Sequence, residues 1–448
     1  MAFRFTEVQA KHSGTCSCAN ILDRTPFPVS IYCGSGKPVD VEEFLSQFLE
    51  EMKQLETDGI TVADKHFTVI LTAVICDMPA RSYVKCTKGH SGYNSCDRCT
   101  QRGEYIDGRV VFPDVSGIRL RSNETFRTME DAEHHHSLSP FCSLALDMVF
   151  SFPLDYMHMV CLGVTRRLLH LWVHGRLPFR LGALQKQLLN KELEASYLPC
   201  EFQRQPRGIK ELEFWKATEY RSFLLYLGPS LLKRVLPSRL YDHFLLLHCA
   251  VSILCSPVLY LDYNDYASHL LTEFSREFAK IYGKSQMSHN IHALCHLASD
   301  AKLHGPLDSF SAFRFANYLG KLKKMVRPPS KPLEQISRRL SEQNNDLQFP
   351  NSERPVKFLS ADSEANSCCM MLDGSIVTVS QVDSNKIVGF KHKDLTDLYR
   401  QPFPSSRLRI FKTSSVDSVL KTWPITLLYQ KCVRLRYGTG FAVIPLLH

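Results

Sequence analysis

The 448-residue sequence predicts an α/β front followed by a large helical block and a small β-rich C-terminal domain. Three observations lead there. A strand–helix–strand pattern fills residues 27–76, apolar residues recur at helical spacing from 141 to about 327, and short β-branched runs alternate with turn residues after 367. A chain of this length exceeds one compact core, which points to two or three units.

Residues 1–26 read as irregular, with Cys16, Cys18 and the Gly14 turn giving no period. FPVSIYCG at 27–34 reads as a strand, and the GSGKP loop leads into an amphipathic helix at 39–59. Its apolar positions Val41, Phe44, Leu45, Phe48, Leu49, Met52 and Leu55 share one face, with Gly59 placed to cap its end. The second strand, 66–76, ends at Asp77. Together these make a βαβ unit over 27–84.

Residues 85–140 are rich in loops and hold two features: Cys96 and Cys99 in C-x-x-C spacing, and the triplet His134 to His136. Helices are expected over Leu162–His174, Thr218–Leu227, Leu240–Cys255 and Tyr266–Ile281, within a block at 141–310 followed by a helix at 311–327. The longest apolar run, Phe244 to Leu261, approaches membrane-spanning length, but His248 lies inside it and Pro257 breaks it, so a buried helix is expected. Residues 328–366 are polar, forming a linker around one basic helix, PLEQISRRLSE. The runs GSIVTVSQV, KIVGF, RLRIF and KCVRLRYGTGFAVIPLL then build the β-rich domain at 367–448.

Composition narrows the function classes. A hydrophobic fraction of 44% with 22% charged residues is ordinary for a folded protein. Lys and Arg number 54 against 45 acids, a net charge of +9 that permits a nucleic-acid partner without requiring one. No secretory leader is recognisable, and the 16 cysteines are scattered rather than packed into a disulfide framework. An intracellular protein, nuclear or cytoplasmic and without a membrane span, is expected.

The C-x-x-C pair supplies half of a tetrahedral zinc site, because two thiolates three residues apart can reach one ion. The other half must come from elsewhere in the chain. Candidates are His90, His158 and Cys86; His158 stands three residues after Asp155 and shares a helix face with it. The histidine triplet reads as a solvated loop with some capacity for adventitious metal.

Several stretches resemble the transposases of CACTA (En/Spm-type) elements, in the form found as transposase-domain proteins of animals. They are CDMPARSYVKCTKGHSGYNSCDRCTQRG, FPLDYMHMVCLGVTRRLLHLWV, WKATEYRSFLLYLGPSLLK, NIHALCHLASDAKLHGPLDSFSAFRFANYLGKLKKMVR and the terminal FAVIPLLH, spread over residues 27–448. The resemblance implies an RNase H-like core interrupted by a zinc knuckle and a large helical insertion. Such a core holds three acids around two magnesium ions about 3.5–4 Å apart, which clamp the attacking and leaving oxygens of a phosphoryl transfer.

Carried over, Asp77 matches the second acid, in C-D-x-P-A-R; read alone, it is equally a cap for the turn before Pro79. The first acid belongs to an Asn-Ile-Asp-Gly-like segment that this chain lacks, the only Asp before the 27–34 strand being Asp23 in a turn-like context; the front is expected to be truncated or replaced. The third acid is the Glu of S-A-F-x-F-E-N, and here the stretch is SAFRFAN with Ala316 in that position. A methyl group cannot bind magnesium, and Glu334, beyond the Pro328-Pro329 break, is a poor substitute. The family pattern ties the C-x-x-C to the D-x-x-H, giving an expected zinc set of Cys96, Cys99, His90 and His158, with Asp155 orienting His158.

Arg314, Lys321, Lys323, Lys324 and Arg327 give one helix five basic residues without an acid, a candidate phosphate-contacting face to which Arg204, Arg166 and Arg167 could add. The expectation is a transposase-derived protein, catalytically inactive, with a zinc-stabilised scaffold and non-specific DNA binding. The alternatives are an active transposase using magnesium and substitute acids, a protein-interaction module acting by self-association, or a non-functional fragment.

Overall fold

The computed structural model describes residues 6–11, 26–34, 36–115, 117–328, 330–345 and 359–447. Asp23, Cys16 and Cys18 lie outside them. The chain forms two compact units, each from two separate stretches: Met1–Met159 with Gly283–Phe349, and Val160–Tyr282 with Pro350–His448.

The first unit opens with a three-stranded antiparallel sheet, order β1-β3-β2, of β1 (Thr6–Lys11), β2 (Ile60–Val62) and β3 (Lys65–Ala73). The expected βαβ unit is corrected here. Residues 27–34 form no strand among the described residues, and a segment of the stretch read as irregular supplies β1 instead. Pro28 lies inside FPVSIYCG and has no N–H to give a ladder. β2 and β3 form a hairpin around Ala63 and Asp64, both with positive φ (48° and 63°). Ala-Asp lacks the Asn-Gly signature of that turn, so the hairpin leaves little trace in the sequence.

The helix Val41–Asp58 forms as its periodicity requires. The Asp40 carboxylate caps it by accepting the Glu42 and Glu43 amides, and the Gly59 N–H, at φ 65°, closes it on the Leu55 carbonyl. Leu45, Leu49 and Met52 bury against Val69 and Leu71 on the inward face of β3 and against Phe141, Leu144, Met148 and Phe152. A fully buried side chain of this kind stabilises by about 1.5–3 kcal/mol. The short hairpin β4 (Glu104–Ile106) and β5 (Arg109–Val111) follows. The unit is completed by the helices His289–Ala293, Leu297–His304, Phe313–Met325 and Pro332–Asn345.

In the second unit, helices Ser238–Cys255 and Asn264–Tyr282 pack side by side, as expected from their periodicity. Ser238–Cys255 takes in the first part of the long apolar run, Phe244 to Cys255, and ends before Pro257; among the described residues no helix is long and apolar enough to cross a membrane. The unit also contains the helices Arg166–His174, Ala183–Glu194 and Ala217–Ser222 and an eight-stranded antiparallel sheet, order β11-β8-β7-β6-β12-β13-β10-β9. Its strands are β6 (Cys368–Met371), β7 (Ile376–Val382), β8 (Lys386–Lys393), β9 (Thr396–Asp397), β10 (Phe411–Thr413), β11 (Ser415–Pro424), β12 (Leu428–Tyr437) and β13 (Gly440–Pro445). All four residues of β6 are buried. Cys369 and Met371 pack with Val377 and Ile387 on one face, while Cys368 and Met370 pack with Cys432 and Val443 on the other. The expected β-rich C-terminal part is present.

Candidate metal centre

The sequence Ser95-Cys96-Asp97-Arg98-Cys99 is fixed by backbone pairing with residues 119–121. Cys99 bridges to Leu120, and the Thr100 and Arg121 amides donate to the Arg119 and Arg98 carbonyls. This holds successive side chains in different directions, and each finds a distinct partner.

Cys96 and Cys99 point at the helical turns that begin at His289. Cys99 Sγ lies 3.2 Å from His292 Nε2, and Cys96 Sγ lies 3.7 Å from His296 Nε2. The four donor atoms lie within 4.8 Å of one another and all four residues are buried, so the group could hold a metal ion. His292 and His296, four residues apart, share a helix face. His292 Nδ1 donates to the Asp114 carbonyl at 3.1 Å, and since a carbonyl only accepts, the lone pair of this imidazole is at Nε2, toward the sulfurs. Burial opposes ionisation of Cys96, but the hydrogen bond from Cys99 and the charge of His296 overcome it and hold that thiol well below its usual range. The same bond, with burial, pushes Cys99 up. The lowering at Cys96 favours its thiolate, the form that ligates.

Asp97 and Arg98, between the two cysteines, tie the loop to its surroundings. Asp97 receives Arg81 Nε at 2.6 Å and Lys85 Nζ at 3.1 Å, all three side chains being at most 4% exposed. Burial drives the Lys85 ammonium down to about 8 despite its partner, and it sits 4.9 and 5.3 Å from the ring centres of Phe126 and Phe152. Arg98 Nη2 donates to both carboxylate oxygens of Asp300, at 2.9 and 2.8 Å, on the helix that follows His296. The loop is thereby joined to these helical turns twice, through the sulfur–imidazole group and through an ion pair.

The expected ligands His90 and His158 stand outside this group. His90 is exposed. The His158 imidazole bonds Asp155 through Nδ1 and is not a member of the sulfur–imidazole group. Asp155 also accepts the Met157, His158 and Ala312 amides at 3.3, 3.1 and 2.8 Å, which makes it the cap of its own helix start. The missed ligands carry a legible signal, His-x-x-x-His in NIHALCH. The histidine triplet is likewise corrected: His134 and His135 are buried against Phe126, and His134 Nδ1 donates to the Asn94 carbonyl at 2.6 Å. Cys86 is buried outside the group as well.

Asp77 caps the helix Met78–Val84 by accepting the Ala80 amide at 2.9 Å, the structural role open to it from sequence. It also lines a cavity of about 350 Å³ with Ile31, Tyr32, Ile75, Cys76, Ala80, Leu319, Leu322, Lys323, Val326 and Ile336. It is the one carboxylate among those lining residues. Ala316 lies on the helix Phe313–Met325, which contributes part of that wall, and Glu334 is exposed and paired with Lys331. Of the basic residues on or just after this helix, Lys321, Lys323, Lys324 and Arg327 are exposed, and Arg314 is half-buried beside the Ser309 carbonyl.

Residues 334–446 match a family model described as a domain of unknown function (DUF8592). That span runs from within the helix Pro332–Asn345 to the end of β13 and so takes in the whole eight-stranded sheet. No curated protein and no solved structure matches the chain.

Proposed function

We propose that this chain is a transposase-derived protein of the CACTA type that has lost phosphoryl-transfer chemistry and keeps a zinc-held scaffold. The observation that carries the reading is the meeting of C-x-x-C and H-x-x-x-H, about 200 residues apart, in one buried group. Zinc bound at about 2.3 Å to sulfur and 2.0–2.1 Å to nitrogen sets sulfur–nitrogen edges of about 3.5 Å in a tetrahedron, which the 3.2 and 3.7 Å separations bracket. Cys96, Cys99, His292 and His296 would hold it, and a closed set of four protein donors favours a structural role, since a catalytic zinc keeps an open position.

Loss of chemistry is supported by the surroundings of Asp77. A magnesium pair needs several hard oxygen ligands, and the cavity beside Asp77 is walled mainly by Ile, Leu and Val. With Ala316 where the resemblance calls for a Glu, one acid remains. The exposed Lys321, Lys323, Lys324 and Arg327 favour a residual affinity for nucleic-acid backbone over self-association as the surviving function.

Three measurements on the purified full chain test this. Elemental analysis should return one zinc per chain. Incubation with element-end DNA and magnesium or manganese should give no cleavage; cleavage that Asp77→Ala abolishes would overturn the inactive assignment. Anisotropy with labelled duplex DNA should show binding that weakens with salt. If all four exposed basic residues contact phosphates, the log–log slope is about −0.9 per contact, near −3.6 in total; salt-insensitive or undetectable binding would leave protein interaction as the better reading.

A further inference from the structure

We infer that the cavity beside Asp77 is a binding site for a small apolar amine, a site independent of the chain's descent. Its volume of about 350 Å³ is in the range of small-molecule sites, which are mostly apolar with a few polar groups that orient the ligand. Apolar side chains come from three directions: Ile31 from the extended segment before the first helix, Ile75 and Ala80 around Asp77, and Leu319, Leu322 and Ile336 from the two helices near residue 327 with Val326 from the turn between them.

Two lining charges compete to set the sign of the ligand's head group, and their mobility decides between them. Asp77 is pinned: its Oδ1 accepts the Ala80 amide at 2.9 Å, which orients the carboxylate and leaves Oδ2 to meet a donor. Lys323 is exposed and, among the described residues, its side chain makes no hydrogen bond or ion pair. A long flexible stem lets its ammonium swing into water at little cost. An anionic head would face a carboxylate that cannot move away, whereas a cationic head meets a fixed acceptor while Lys323 retreats. An ammonium on an apolar body therefore matches the site, and the bond it forms to the carboxylate is of the stronger, charge-assisted kind.

The test uses 2-phenylethylamine, 2-phenylethanol and phenylacetate as probes, with affinities from saturation-transfer NMR titrations on the full chain. The amine should bind at least about tenfold tighter than the alcohol, as one charge-assisted hydrogen bond allows. Asp77→Asn should erase that ratio while keeping the fold, because Asn is as good a helix N-cap as Asp. Ala80→Phe, which fills the cavity, should remove binding of all three probes. Circular dichroism checks that both variants remain folded. Tightest binding by phenylacetate, an amine preference that survives Asp77→Asn, or no binding by any probe would each overturn the inference.

Discussion

Replacing Asp97 with Asn should destabilise the first unit by about 3–5 kcal/mol, the cost of removing one partner from a buried charge group. Asp97 is 1% exposed and serves Arg81 at 2.6 Å and Lys85 at 3.1 Å, themselves 4% and 0% exposed at the side chain. Asn keeps the volume and one acceptor oxygen but strands two cations where water does not reach. They respond differently. Arg81 stays charged at any accessible pH, so its share of the penalty persists. Lys85 already stands at about 8, below its unfolded value near 10.4, and without Asp97 it falls further. The sign follows. Where the unfolded chain binds a proton that the folded chain has lost, stability rises with pH. That rise begins near pH 8 in the parent and at lower pH in the variant, so the Lys85 share of the deficit fades as pH climbs through about 8. Urea titrations followed by circular dichroism at pH 6.5 and 9, read on the transition of the first unit, measure both shares. A deficit below about 1 kcal/mol at pH 6.5, or one that widens at pH 9, would refute the reasoning. The triple replacement Arg81→Met, Lys85→Met, Asp97→Leu should recover most of the loss, since a packed apolar substitute often equals a buried ion group.

Four further outcomes are expected. Cys99→Ser and His292→Ala should each lower bound zinc well below one per chain, while His90→Ala and His158→Ala leave it unchanged; elemental analysis of the four proteins decides. Leu49→Ala, in the core beneath β3, should cost about 2–5 kcal/mol in urea unfolding, the usual range for a buried leucine truncation. The buried His243 and His248 are held down to about 4 by desolvation, so the second unit should be at full stability above pH 6.5 and lose it as pH falls from 6.5 towards 4. Each histidine contributes on the order of 3 kcal/mol of that loss, at roughly 1.4 kcal/mol per pH unit; His248→Gln should flatten the acid limb of the stability–pH curve. Gly440→Ala should disrupt the C-terminal sheet, because the new Cβ would lie 1.8 Å from the Thr413 carbonyl oxygen on the neighbouring strand β10; a thermal midpoint within about 1 °C of the parent would contradict this.

Much of this molecule is written locally. The stripe from Val41 to Leu55 fixes an amphipathic helix because residues three and four apart share a face in any helix. Asp40 and Gly59 mark its ends for equally local reasons, a side chain that reaches amides two and three residues on and a backbone that tolerates positive φ. Asp155 and His158 meet because they are three residues apart, and they would meet in any fold that kept that turn helical. The C-x-x-C spacing likewise announces half a metal site from four consecutive residues. Tertiary structure decided what completes it. His292 and His296 stand 193 and 200 residues from their sulfur partners, and nothing in the spacing of either pair specifies the other. Their meeting depends on the packing that places the Asp114 carbonyl against His292 and Asp300 against Arg98. The same holds for β1: a strand is chosen by the edge that accepts it, and β3 accepts Thr6–Lys11 while the proline-bearing 27–34 stays outside the ladder. Short-range geometry fixes which residues can share a face or a cap. Long-range burial selects which of those faces come together, and the group of Cys96, Cys99, His292 and His296 belongs to the second kind.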